Sequence, residues 1–235
     1  MKIMINGVGR AGMGLVRSIG NIPGLTIQAG VCRTGSHKVG LDLGILSGTN
    51  RLDAPVLPLN RLEAALRYYQ PDALVDFSSP ETSLQVARLC SKYGIGLLVG
   101  TTGFTPSEVR EMKALAMTGQ FALLYVPNIG QDIEVLRGEV CYTARHFSGL
   151  DFQTLSGEEG VPAPIASTVD DGGVVTGASS PLPAREAPSP SAQSRVVIIR
   201  ESKSTNSFAG NTLAALHSLK GKKGWMEMID VVGFR

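Results

Sequence analysis

The sequence is poor in charge, cysteine, histidine and aromatic residues, and each shortage removes a class of function. Only 18% of its 235 residues are charged and 6% aromatic, with 22 basic side chains against 20 acidic and a formal net charge of +2. No long run of either sign occurs, so the basic stripe of a dedicated nucleic-acid binder is lacking. The three cysteines, Cys32, Cys90 and Cys141, lie far apart and form no C-x-x-C pair. That argues against a disulfide framework and for a reducing, cytoplasmic setting. The three histidines, His37, His146 and His217, are equally scattered, and no metal centre is expected from such spacing. No apolar stretch approaches the ~20 residues that span a bilayer, and the first residues do not read as a signal peptide. The expectation is a soluble protein that acts on a small molecule and binds neither nucleic acid nor membrane.

What is present is apolar and glycine-rich: 43% hydrophobic residues and 28 glycines. Over the first 130 residues strand and helix signals alternate. Ile3-Met4-Ile5 is a short buried-strand run that stops at Asn6-Gly7, and Met13, Val16 and Ile19 then recur at helical spacing. Leu25 to Val31, Ala73 to Phe77, Gly96 to Val99 and Phe121 to Val126 read as further strands. Asn60 is expected to open a helix with Glu63 completing a capping box, and Ser79-Pro80 and Thr105-Pro106 to open two more. Such a βαβα rhythm predicts an α/β fold, a Rossmann-type doubly wound parallel sheet.

After about residue 145 the pattern changes. Leu150 to Leu155 and part of Arg195 to Glu201 alternate apolar and polar residues, as half-exposed antiparallel strands do. Residues 177–194 are rich in proline and serine and read as a loop. A last helix is expected from Asn206 to Leu219. The division predicted is a dinucleotide-binding domain over residues 1–128, with 206–235 packing back on it. Residues 129–205 then form a smaller α+β domain for substrate and oligomerisation.

Gly7-Val8-Gly9-Arg10-Ala11-Gly12 is a G-x-G-x-x-G motif placed between a strand and a helix. Gly7 permits the tight turn, Gly9 lets backbone approach a pyrophosphate, and Gly12 allows close helix–strand packing. The helix N-terminus supplies free N–H groups to the anion. Where this motif's second strand usually ends in an acid for the ribose, the sequence reads Cys32-Arg33-Thr34-Gly35-Ser36-His37-Lys38. A neutral Cys32 followed by Arg33, His37 and Lys38 suits a 2′-phosphate, so NADPH is expected over NADH.

Further runs resemble those of the dihydrodipicolinate reductases, NAD(P)H-dependent enzymes of the diaminopimelate and lysine pathway. They are Val75-Asp76-Phe77-Ser78-Ser79-Pro80-Glu81, Val99-Gly100-Thr101-Thr102-Gly103-Phe104, Pro127-Asn128, Phe208 to Leu216 and Gly224 to Val232. The resemblance covers roughly residues 1–135 and 195–235. It implies that Phe77, Gly100, Thr101, Thr102, Val126, Pro127 and Asn128 belong to the cofactor site, and that Arg33 meets the adenosine phosphate. Thr102, Asn128, Ser167 and Thr168 are the candidate substrate contacts, and a dimer or tetramer is expected.

The family's catalytic run, a His-His pair followed by Lys and then Asp-Ala-Pro-Ser-Gly-Thr, is missing. In one register residues 156–167 take its place; in another, Ser167 to Gly172 match a later strand and the run is deleted. Candidate replacement acids are Glu158, Glu159 and His146. Three functions follow. One is an NADPH-dependent reductase of a cyclic imine or enamine, in specialised biosynthesis. The second is a genuine dihydrodipicolinate reductase, and the third a non-catalytic nucleotide-binding homologue.

Overall fold

The computed structural model describes residues 1–127, 167–170, 173–176 and 207–232. Two compact units are distinguished: Met1–Glu134 with Lys203–Gly233 and Arg235, and Val135–Ser202 with Phe234.

In the first unit the apolar runs become β1 (Lys2–Asn6), β2 (Thr26–Cys32), β4 (Ala73–Asp76), β5 (Gly96–Val99) and β6 (Ala122–Tyr125). The short β3 (Val56–Pro58) and the late β9 (Gly224–Glu227) complete a sheet in the order β3-β2-β1-β4-β5-β6-β9, parallel throughout. This is a doubly wound arrangement, in which strand order reverses beside β1 and loops leave the C-terminal ends of the strands to form a crevice.

Two-residue alternation divides each strand between two cores. Ile3, Ile5, Val75, Leu98 and Leu124 pack on one face with α1 (Arg10–Ile19), α2 (Leu43–Ser47) and α6 (Ser207–Leu219). Met4, Leu74, Leu97, Val99 and Leu123 pack on the other with α3 (Leu62–Tyr69), α4 (Pro80–Tyr93) and α5 (Pro106–Thr118). Both faces are covered, which is why these strands are continuously apolar instead of half polar.

The α2–β3 segment has no counterpart in the sequence expectations. Its five-residue helix is set by Asp42, whose Oδ1 accepts from Ile45 N at 3.2 Å, and by Gly48 in the left-handed region. Pro58 ends β3 at the sheet's edge, where a missing N–H is tolerated.

One helix start differs from expectation. Residues 59–61 form a 3₁₀ turn ahead of α3, and Glu63 completes no capping box. Its carboxylate instead accepts from Lys92 Nζ and Tyr93 Oη, both at 2.7 Å, tying α3 to α4. Ser79 does stand at the N-cap of α4, with Pro80 in the first turn, but its hydroxyl meets Thr82 Oγ1 at 3.0 Å. At α5 the box is complete: Glu108 N donates to Thr105 Oγ1, and Thr105 N donates to Glu108 Oε2 at 2.7 Å.

The final helix, α7 (Met228–Val232), follows β9. In the second unit, β7 (Ser167–Asp170) and β8 (Gly173–Thr176) form an antiparallel pair. The expected strands at 150–155 and 195–201, and the loop at 177–194, lie outside the described residues.

Candidate functional site

The site is built where β1, β4 and β5 end. After β1 the chain turns at Gly7, whose φ of +93° is open to glycine alone without strain. A Cβ there would also overlap the Phe77 carbonyl. Gly12, inside α1, is equally constrained, because a Cβ would overlap the Gly7 carbonyl oxygen. Gly9 is the opposite case: it is exposed, and a Cβ would meet nothing within 4 Å. The three glycines therefore divide their work. Gly7 and Gly12 hold the loop against the fold, while Gly9 keeps an outward surface bare.

Gly9 is also the N-cap of α1, with no side chain capping the helix and no acid in its first turn. Arg10 and Ala11, the first residues of the helix, are exposed. An anion is the partner that suits unpaired amides at the positive end of a ten-residue helix. The residues present thus fit a dinucleotide's pyrophosphate.

On one flank, β2 delivers half-buried Cys32 and exposed Arg33 and His37. Lys38 is partly buried, and its ammonium donates to the Val8 carbonyl at 2.8 Å. It is fastened to the glycine loop, which holds its positive charge beside the start of α1.

On the other flank stand the loops after β4 and β5. Gly100 is required by Phe77: a Cβ on Gly100 would overlap the ring and lie 2.8 Å from Cδ1. Phe77 thus packs against the Gly100 backbone. Thr101 is 5% exposed, and its hydroxyl turns inward, accepting from Ser78 N at 2.9 Å and donating to Asp76 Oδ2 at 3.0 Å. Whatever it offers a bound ring comes from its backbone. Thr102, next to it, is exposed. At β6, Val126 is 1% exposed and its side chain belongs to the core; Pro127 is half-buried beside it.

Asp76 is the site residue to which the sequence assigned no role. It ends β4 fully buried, and each carboxylate oxygen accepts two hydrogen bonds. Oδ1 takes Asn6 Nδ2 at 2.6 Å and Ser78 Oγ at 2.7 Å; Oδ2 takes Thr101 Oγ1 and Ser83 Oγ. Burial pushes the Asp76 carboxyl above the usual range, against the pull of the Ser83, Ser78, Asn6 and Thr101 donors. The available signal was an acid closing an otherwise apolar buried strand.

Asn128, His146, Glu158 and Glu159 lie outside the described residues. Ser167 and Thr168 fall in β7, where only the backbone pairing is described. Among the described residues no group of three or more His, Cys, Asp or Glu side chains is placed to hold a metal, and no helix is long and apolar enough to cross a membrane.

A family model described as "Dihydrodipicolinate reductase, N-terminus" matches residues 1–129. The curated 4-hydroxy-tetrahydrodipicolinate reductase of Ralstonia nicotianae is 28% identical over 276 aligned positions, covering 99% of this chain and 100% of that protein. The one from Methanococcus maripaludis strain C5 is 32% identical over 156 residues, 66% of this chain and 58% of its own length. The chain thus spans less than two thirds of the Methanococcus relatives it matches. Among solved structures, "Dipicolinate bound Dihydrodipicolinate reductase from Paenisporosarcina sp. TG-14" shares the fold. Its TM-score is 0.62 at 14% identity, with 97% of each chain covered.

Proposed function

This chain belongs to the dihydrodipicolinate reductase family, and on that premise we propose that it is an NADPH-dependent reductase of a small cyclic imine or enamine. The observation that carries the reading is the bare Gly9 surface at the uncapped start of α1, framed by two glycines that the fold itself requires.

When bound, the reduced nicotinamide supplies a hydride for a C=N or conjugated C=C bond. The chain's own residues do the rest. The loop amides at Gly9, Arg10 and Ala11 bind the pyrophosphate, and Arg33, His37 and Lys38 receive the 2′-phosphate beside the uncharged Cys32. The backbone of Gly100, Thr101 and Thr102, with Phe77, Val126, Pro127 and Asn128, orients the ring. The substrate contacts assigned on this reading are Thr102, Asn128, Ser167 and Thr168. For a neutral imine or a conjugated C=C bond the proton would come from Glu158, Glu159 or His146, or from water; a protonated iminium already carries its own and needs none. Loss of a general acid typically costs 10²–10⁴-fold, so its replacement slows such a reaction without abolishing it.

We place the protein in the cytoplasm as a homo-oligomer, with residues 129–205 forming the substrate domain. The missing His-His and Lys run points away from the family's dianionic substrate and towards a less charged one, in specialised biosynthesis. A second reading, the family's own reaction, is supported by the Ralstonia relative, which matches over its whole length.

The deciding experiment follows loss of reduced-nicotinamide absorbance with 4-hydroxy-tetrahydrodipicolinate and with a panel of uncharged cyclic imines. Turnover of an imine but not of the dicarboxylate supports the first reading, and the reverse supports the second. Cofactor binding with no turnover of either would make the chain a nucleotide-binding homologue. Arg33→Ala should weaken NADPH by about 2 kcal/mol, the scale of a charge-assisted contact, and NADH much less.

A further inference from the structure

Asp76 is the one fully buried acid among the described residues, and its partners come from the end of β1, the β4–α4 connection and helix, and the loop after β5. Asn6 is the last residue of β1, immediately before the glycine turn. Ser78 lies in the loop after β4, Ser83 in α4, and Thr101 in the loop after β5. Backbone bonds follow the same lines: Phe77 N donates to Asn6 O at 2.8 Å, and Gly100 N to Asp76 O at 2.9 Å.

The four donors fill the four acceptor positions of an ionised carboxylate, two on each oxygen. Three of the four are hydroxyls and the fourth is the Asn6 amide, so the carboxyl group is saturated with partners. No cation pairs with it among the described residues. A buried acid in that condition is costly and is poorly explained as a stabilising device. What it does supply is a single point that fixes three separate loops at once.

We propose that Asp76 is a positioning residue that locks the ends of β1, β4 and β5 into the arrangement required by the nicotinamide half of the cofactor. It acts through Thr101 and Ser78 and touches neither cofactor nor substrate. The proposal rests on the dinucleotide reading above and assigns it a device. The adenosine half is gripped chiefly on the β2 flank, which gives Asp76 no partner, so it should depend on Asp76 far less than the ring does.

That difference supplies the test. Binding of NADPH is compared with binding of 2′-phospho-ADP-ribose, which keeps every part of the cofactor except the ring, to the full chain and to Asp76→Asn. Ser83→Ala, which removes one donor from the α4 side, serves if the first variant does not fold. The expected result is a loss of about tenfold for NADPH, the scale of a hydrogen bond to a charged group, with the ring-less analogue held within about twofold. Equal losses for both ligands, or no loss for either, would reduce Asp76 to a structural residue and overturn the proposal. Failure of the unaltered chain to bind either ligand would overturn the dinucleotide reading itself, and the role of Asp76 with it.

Discussion

Gly12 of α1 packs against the carbonyl group of Gly7 so closely that a Cβ at position 12 would overlap the oxygen and stand 3.1 Å from the carbon. The contact is backbone on backbone, so no side chain can swing aside to relieve it. Gly12→Ala should therefore destabilise the fold by about 3 kcal/mol, the upper range for overpacking. Gly14→Ala, two residues along the same helix, has only the tip of Arg17 at 3.8 Å in its way. It should stabilise by up to about 1 kcal/mol through helix propensity. Urea unfolding of the two variants without ligand checks both signs.

The pairing of Phe77 with Gly100 makes a second, separable prediction. Gly100→Ala alone should cost about 2 kcal/mol because the added methyl meets the ring. Phe77→Ala removes the ring atoms in conflict, so the double variant should be more stable than the two single losses imply, by about 1 kcal/mol. Strict additivity in a double-mutant cycle would mean that the ring does not rest on Gly100.

Asp42 gives a pH-dependent prediction. Burial raises its pKa, but backbone amides of Leu52, Ile45, Ala54 and Gly44 outweigh that, and the carboxyl sits below the usual carboxylate value. Oδ1 accepts from Leu52 N at 3.1 Å and Oδ2 from Ala54 N at 3.0 Å, in addition to the α2 cap. A lowered folded-state pKa contributes stability above the unfolded value and loses it as pH falls through the folded one. Asp42→Ala should cost about 1–2 kcal/mol at neutral pH, as a lost cap does. In acid the difference from the unaltered protein should shrink. A gap that widened on acidification would reverse the assignment.

Much of this architecture is legible in the residues themselves. Apolar runs such as Ala73-Leu74-Val75, bounded by polar residues and glycine, announce strands buried on both faces, and Gly7 to Gly12 announce a tight strand-to-helix turn. The α2–β3 segment escapes because five- and three-residue elements are too short to show a period; only Asp42 and Gly48 mark it. Glu63 misleads because a capping-box spacing is also a surface spacing, and Lys92 and Tyr93 compete for the carboxylate from a different helix. Asp76 escapes for a different reason. Its partners are 70, 2, 7 and 25 residues away, and only the order of the sheet brings them together.

The central claim is that the bare surface at Gly9 receives a dinucleotide pyrophosphate, and Gly9→Ala tests it most directly. Nothing in the fold opposes the methyl, so stability without ligand should change by less than about 1 kcal/mol, the difference between glycine and alanine at an N-cap. Isothermal titration with NADPH should nevertheless show affinity falling by about tenfold or more, since the methyl stands where phosphate oxygens meet the loop amides. An unaltered NADPH affinity in a stably folded Gly9→Ala protein would contradict the account.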